Sequence, residues 1–594
     1  MGLMQVAPTP NTGNSSEAGK QKHVRSVLWT RQVVSLGRRI VAGYNKLQVS
    51  HRGMYSIERL QAFQLYCDKT SVTRAIAVCV LTPVPSLLAM VLIECIPLCD
   101  PELGWRANYM FWLRFFVSGV IIIIGSTYQV VDMMDRIRLS AVQCLRVAIF
   151  SMVVYVATVL GIAMLWVFPV PFGIVVGIGP CFAFFLTVLV LTIGIKTFRE
   201  NSGLSRELKA QLYVLATEAT IAVIYPAFSS LYLRTSPNNR AGLVLLLPLT
   251  KLLMKNVVAW ASSHVEDYVP LVAVFSIEVF NALYVSTCMQ STKSTLATIV
   301  IISCDVLSGA LSFYSLLGRT RAIQDQQQRS TALYSESKNS GPGKLIPAAV
   351  TASRLLRTFQ TKKGKTIRIR SPLQLGLGAE AERVLDSLRG HQIKFMTRAG
   401  RKASRKPSRT ATGGCGPSRA LFQSDSKQRP ALIGPFEPCA LSRKQPTVQG
   451  LSIEEQRVTL VGSTLELLFH CEYHALVEYV ECTIPVLFGV YSSILCQLPT
   501  HKYYPHTRDM VPGQLEGMLT SLVVYVGLEV LSFVALHVAL KRKFNLSALF
   551  QLAFVLETHV VQLQSRLFVW IVFILQFTLQ HYGVDFTFQF AWVH

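Results

Sequence analysis

Apolar residues gather along this chain in stretches of about twenty, separated by short polar connections, which is the spacing of membrane crossings rather than of a soluble core. The stretches are Ala75–Pro97, Tyr109–Val131, Ala148–Phe168, Gly173–Ile195, Leu212–Leu233, Ala241–Ser262, Tyr268–Gln290 and Thr295–Leu317. A polar interval follows from Gly318 to Glu455, after which the pattern resumes at Leu476–Leu498, Gly517–Leu540 and, more briefly, Leu567–Leu579. Ser547–Gln562 is apolar but carries Glu557 and His559, so it reads either as a span or as an amphipathic helix lying in the interface. Lipid offers no partner to backbone N–H and C=O groups, and these runs are too long for barrel strands, so they predict helices. The expected fold class is all-α, a polytopic transmembrane helical bundle with a long disordered basic cytosolic insertion. Residues 1–74 read as a basic tail, 75–317 as a block of about eight spans, 318–455 as the insertion and 456–594 as about three further spans. Pro83, Pro85, Pro180, Pro226, Pro248 and Pro485 fall inside the apolar runs and predict kinks there.

Composition sharpens this picture. The 594 residues are 51% hydrophobic and only 15% charged, which is too apolar for ordinary soluble domains. The net charge of +25 suggests nucleic acid until its distribution is considered. Gly318–Glu455 alone holds 26 Lys and Arg against 9 Asp and Glu. That segment is rich in Ser, Gly and Pro and poor in aromatics, so it buries too little apolar area to offset its chain entropy, and it lacks the interleaved aromatics that stack bases. Disorder is expected there, apart from Leu345–Phe359 and Ala379–Leu388, where apolar residues recur at helical spacing. The thirteen cysteines are scattered, several within apolar runs, and show no disulfide or zinc spacing. Met1 to Arg74 has no apolar core of the kind a secretory signal needs, so the first span is expected to act as the anchor.

Lys and Arg collect in alternate connections. With a cytosolic N-terminus, Arg59, Lys69, Arg74, Arg136, Arg138, Arg146, Lys196, Arg199, Arg206 and Lys209 all lie inside, and so do the insertion and Lys541-Arg542-Lys543.

Catalytic chemistry is not written in the chain. There is no phosphate loop, dinucleotide fingerprint, His-Glu-x-x-His or nucleophile elbow, so no reaction, cofactor or metal is assigned. His470, Cys471 and His474 lack a second ligand pair, and His581 with Asp585 reads as the fastening of a helix end. The informative residues are ionisable groups at membrane depth, each of which costs about 2.5–3.5 kcal/mol at a helix centre unless paired or hydrated. Lys251 and Lys255 lie one turn apart in the sixth stretch, Glu278 in the seventh and Asp305 in the eighth, with Glu218, Glu529 and Arg114 elsewhere. They read as an ion pathway or as interhelical pairing that holds the bundle together.

The segments Ile277-Glu278-Val279-Phe280-Asn281-Ala282-Leu283-Tyr284, Gln551-Leu552-Ala553-Phe554-Val555-Leu556-Glu557 and Tyr582-Gly583-Val584-Asp585-Phe586-Thr587-Phe588 resemble a multi-pass membrane protein family of the oomycete type. The resemblance covers both hydrophobic blocks and omits the insertion. It implies architecture and a eukaryotic membrane setting, and it carries over no catalytic or binding residue.

Two functions are expected from the residues. One is a secondary transporter or channel for a small solute or ion. The other is a membrane scaffold or signalling protein whose basic insertion recruits partners or anionic lipid headgroups. Arg401-Lys402-Ala403-Ser404 and Arg405-Lys406-Pro407-Ser408 each resemble a basophilic kinase site, and phosphorylation of Ser404 and Ser408 would weaken attraction to an anionic leaflet. A solvated loop that touches nothing is the competing reading of that run.

The charge asymmetry predicts topology. Protease added to sealed, right-side-out vesicles should leave the insertion intact, and cleavage near Arg401 under those conditions would reverse the orientation.

Overall fold

The computed structural model describes residues 53–134, 136–235, 246–262, 266–291, 306–318, 345–361, 365–371, 375–404, 453–508 and 512–584, with a few isolated positions. Among these the chain is helical, and the only strand-like pairing is a single antiparallel bridge between Gln360 and Thr366. Among the described residues six helices are long and apolar enough to cross a membrane, and the count is seven when a bent pair is taken as one span. The protein is a multi-pass integral membrane protein by that architecture.

An amphipathic helix, α1 (Ile57–Lys69), is capped by Ser56 and precedes the first span. That span, Val72–Glu94, is broken into α2 (Val72–Leu81) and α3 (Val84–Glu94). Pro83 supplies no N–H to the carbonyl of Cys79, and the Tyr479 hydroxyl donates to that carbonyl instead at 2.8 Å. Gln564 likewise donates to the Thr82 carbonyl at 2.7 Å. The kink expected from the two prolines is thus a break, made tolerable in lipid by side chains from distant helices. Next come α4 (Tyr109–Val131), α5 (Ala141–Leu165) and α6 (Ile178–Ile193), the last preceded by the short turn Gly173–Val176.

The fifth expected stretch lies within a longer helix, α7 (Ser202–Arg234), and the sixth is the 16-residue α8 (Leu246–Ala261). The seventh, α9, has three parts: Val269–Ala273, a π-helical turn Val274–Glu278, and Val279–Ser291. Of the eighth, the described portion is α10 (Val306–Gly318).

After the insertion comes α13 (Ile453–Leu495), whose 43 residues follow α11 (Leu345–Arg354) and α12 (Ala379–Ser404) in chain order. At 1.5 Å per residue α13 is about 65 Å long, twice the hydrocarbon core, so its first half stands outside the membrane. There follow α14 (Pro512–Phe544), α15 (Ala548–Thr558) and α16 (Val560–Gln576). The bend of 84° between α15 and α16 falls inside Ser547–Gln562, and the two helices are long and apolar enough to cross a membrane only when taken together. Helices from after the insertion sit among those from before it. Gly125 permits one such contact, since a Cβ there would lie 2.8 Å from the carbonyl oxygen of Ser565 on α16.

The two ends of the bundle are distinct. At one end Ile57 and Glu58 donate their N–H groups to the carbonyls of Arg368 and Ile369, both at 3.0 Å, and Lys365 pairs with Glu466 at 3.2 Å. Part of the insertion is therefore docked, with Leu345, Phe359, Ile367, Leu385 and Leu388 buried. The two segments expected as helical exceptions are α11 and α12, and α12 runs beyond Leu388 to Ser404. The disorder expected for 319–344 and 405–452 lies outside the described residues.

At the opposite end the connections after α3, α5 and α13 meet the segment following α16. Phe172 donates its N–H to the Gly583 carbonyl at 2.9 Å. Gly583, at φ +64°, is required there, because any Cβ would strike the Val170 carbonyl. The expected partner of His581, Asp585, lies outside the described residues. His581 instead donates from Nε2 to the Cys99 carbonyl at 2.8 Å and stacks on Phe111.

Burial, with Arg114 nearby, pushes the His581 pKa down from 6.5 to about 4. Between those values the unfolded chain binds more protons, so stability from the neutral ring is complete above pH 6.5 and is lost as pH falls toward 4, by about 3 kcal/mol at most. The thermal midpoint of the purified chain should drop over that interval. The drop should shrink in His581→Gln; an identical pH profile in that variant would show that the ring is not the sensor.

Candidate functional site

The centre of the bundle is α9. Every side chain from Asp267 to Leu283 is buried, and a helix enclosed on all sides is expected to be apolar all round. From Val269 to Leu283 its sequence meets that requirement except at Ser276, Glu278 and Asn281. Ser276 and Glu278 both belong to the π turn, a local widening that commonly marks functional positions.

Glu278 is fully buried and held by two lysines from α8. Lys251 Nζ lies 2.9 Å from Glu278 Oε2, and Lys255 pairs with Oε1 of the same carboxylate. Lys251 and Lys255 are four residues apart and therefore share one helix face. Lys251 also reaches Glu481 Oε1 on α13 at 2.8 Å. Lys255 stands 5.8 Å from the centre of the Tyr473 ring. Among the described residues two ammonium groups thus meet two carboxylates. Glu481 is nine residues beyond Glu472 on α13, about 13 Å deeper into the membrane.

A second node adjoins it. Ser276 donates to Glu218 Oε1 on α7, and Arg566 Nε on α16 lies 3.6 Å from the same oxygen. Arg566 in turn donates to Gln562 Oε1 at 2.5 Å, and Gln562 donates to Asp132 Oδ2 at 3.0 Å. The two nodes are joined through the π turn, whose positions 276 and 278 serve one each.

Two further buried pairs lie toward the ends of the bundle. Arg59 on α1 pairs with Glu472 at 2.9 Å and donates to the Asp267 carbonyl, also at 2.9 Å. Asp267 accepts from Arg368 and from the Ser371 hydroxyl, each at 2.7 Å, which fastens the docked insertion to the foot of α9. Near the other end Arg114 pairs with Glu94 at 2.5 Å, and Glu94 also accepts from Tyr504 at 2.6 Å and from Tyr491 at 3.1 Å.

The expected residues therefore divide. Lys251, Lys255 and Glu278 are brought together, Glu218 joins the adjoining node, and Asp305 lies outside the described residues. Glu529 is buried on α14 and interacts electrostatically with Cys482. Arg401, Lys402 and Ser404 fall in the last turn of α12, while Arg405, Lys406 and Ser408 lie outside the described residues. His470 and His474 stack edge to face at 4.6 Å, and among the described residues no group of three His, Cys, Asp or Glu is placed to hold a metal. Glu481, Arg566, Glu94 and the Arg59–Glu472 pair were missed. Glu481, Arg566 and Glu94 stand in or beside apolar runs already recognised as spans, so the depth rule applied to Glu278 would have found them.

No family model, curated protein or solved structure matches the chain.

Removing one partner of a buried ion pair strands the other charge, whereas removing both does not. Glu278→Gln alone, or Lys255→Met alone, should lower unfolding stability by about 3–5 kcal/mol, and the double variant should lose less than either single. Additive losses in that cycle would show that the pair is not coupled.

Proposed function

We propose that this protein is a secondary transporter or channel for a small solute or ion, with the Lys251, Lys255, Glu278 and Glu481 cluster as its coupling centre. The observation that carries the reading is the sharing of Lys251 between two carboxylates, at 2.9 Å to Glu278 and 2.8 Å to Glu481. Pairing that only fastens helices is complete with one lysine per carboxylate. Here a proton or cation arriving at Glu481 shifts Lys251 toward Glu278, and arrival at Glu278 shifts it toward Glu481. Either event redistributes charge between α8, α9 and α13, and a π turn can accommodate such a shift by changing its register. The side bearing α1 and the insertion is assigned to the cytosol, where its basic residues belong by the positive-inside rule.

One observation favours a second reading, a scaffold that acts through its insertion: residues 365–371 are bonded to α1 and to Asp267 in a defined geometry. Such a surface suits a partner or an anionic headgroup displacing the strap.

Reconstitution separates the two. The purified chain in liposomes loaded with a pH-sensitive dye, challenged with a panel of ions, should give flux that Lys251→Met reduces at least tenfold while the protein remains folded. A folded, correctly inserted protein that passes neither protons nor any ion of the panel would remove the transport reading and leave the scaffold.

A further inference from the structure

Beside the second node lies a cleft of about 160 Å³ between α4, α5, α6, α7 and α16. Its walls are almost wholly apolar, and Ile122, Phe182 and Phe573 in them are only half-buried, so the cleft communicates with the lipid-facing surface of the bundle. Along α4 the lining runs from Phe115 to Ser126, about 16 Å, close to the thickness of one leaflet of hydrocarbon.

Two buried polar atoms in this lining have no hydrogen-bond partner among the described residues: Glu218 Oε2 and Trp570 Nε1. The first is an acceptor whose sister oxygen is engaged by Ser276 and Arg566. The second is a donor one turn along α16 from Arg566. Each is less than 4% exposed. The polar groups at the other end of the cleft are satisfied, since Gln576 exchanges hydrogen bonds with Ser118 at 2.9 and 3.1 Å and accepts from Tyr582 at 3.1 Å. Native interiors rarely leave a buried donor and a buried acceptor without partners. One group that both accepts from an indole N–H and donates to a carboxylate answers both, and a hydroxyl is the smallest that does so.

We propose that the cleft binds one molecule of a hydroxyl-headed amphiphile, a long-chain alcohol or a sterol, taken laterally from the bilayer. Its hydroxyl donates to Glu218 and accepts from Trp570, and its apolar body lies along Ile122, Phe182 and Phe573. A fatty acid is rejected, because its carboxylate would face Glu218. A protonated amine satisfies Glu218 but leaves Trp570 without an acceptor, so it binds more weakly than the alcohol. An ether of the same length accepts from Trp570 and cannot donate. The site is independent of the transport reading, which rests on Lys251 and Glu278.

The test uses the full chain in lipid nanodiscs with a long-chain alcohol carrying a photoreactive diazirine midway along its chain, and cross-linked peptides mapped by mass spectrometry. Saturable labelling is expected within Phe115–Ser126 and Cys181–Phe185, competed by unlabelled alcohol or sterol, whichever source the site prefers, and about tenfold less well by the methyl ether. Trp570→Phe, which keeps the ring and removes the donor, should weaken labelling about tenfold, as should Glu218→Gln. Ala219→Phe, which fills the cleft, should abolish it. Labelling that does not saturate and falls equally on outward residues such as Val80 and Leu92 would overturn the proposal, as would equal competition by ether, fatty acid and alcohol. If Glu218→Gln does not fold, Trp570→Phe and the competitor series on the unaltered chain decide the matter.

Discussion

Ionisable side chains at membrane depth must find a partner of opposite charge or a hydrated site, and the arrangement of this bundle depends on that requirement. A charge left alone at a helix centre costs about 2.5–3.5 kcal/mol on insertion scales, comparable with a large share of a typical protein's net stability. The chain meets the requirement at several levels. Arg59 with Glu472 lies toward one end, Lys251 and Lys255 with Glu278 and Glu481 lie in the middle, and Glu94 with Arg114 lies toward the other end. Arg59 with Glu472 and Lys251 with Glu481 join helices far apart in sequence, Glu94 with Arg114 joins the neighbours α3 and α4, and in each set at least one partner is fully buried. Such pairs are weak sources of net stability, since the cost of desolvation offsets much of the attraction. They are strong sources of specificity, because a bundle in any other register would leave several charges unmatched.

The same logic explains how far the sequence could be read. Crossing helices were legible because lipid imposes a length and an apolar composition: Tyr109–Val131 was read with the boundaries it has, and Gly173–Ile195 came within two residues of the observed end. Depth also singled out Lys251, Lys255, Glu278 and Glu218. Partnership was legible only in part, because it depends on which helices touch. Lys251 and Lys255 were expected to be neutralised by Glu278 and Asp305; both lysines do pair with Glu278, Asp305 lies outside the described residues, and Glu481 of α13, reached through Lys251, was not foreseen. The docking of 345–361 and 365–371 was likewise hidden, since their apolar residues are too few to form a core by themselves and become a core only against α1 and α13. The break at Thr82 was foreshadowed by its prolines, but the hydroxyl and amide that repair it stand some 400 and 482 positions away.

The insertion also changes how the two hydrophobic blocks are understood. They read as consecutive units along the chain, yet α13 and α16 pack among helices of the earlier block, and α13 projects beyond the membrane to receive the docked strap. Arg368 and Ser371 bind Asp267, which begins the approach to α9. The soluble strap and the central helix therefore share a carboxylate, and displacement of one alters the support of the other.

That connection bears on what the π turn can do. Ser276 and Glu278 are two residues apart, yet one bonds Glu218 and the other the lysine pair, so the turn holds two networks that otherwise meet nowhere among the contacts described. Because the walls around Asp267–Leu283 are closed, Glu278 cannot rotate into lipid or solvent. A change in its charge is answered by movement of Lys251 or Lys255, by a change in the turn, or by both. A change in the turn moves Ser276, and with it the contact to Glu218, whose other partner is Arg566 on α16. The enclosure of α9, which at first sight only makes the helix rigid, is what would make a proton or cation at its one carboxylate felt on the far side of the bundle.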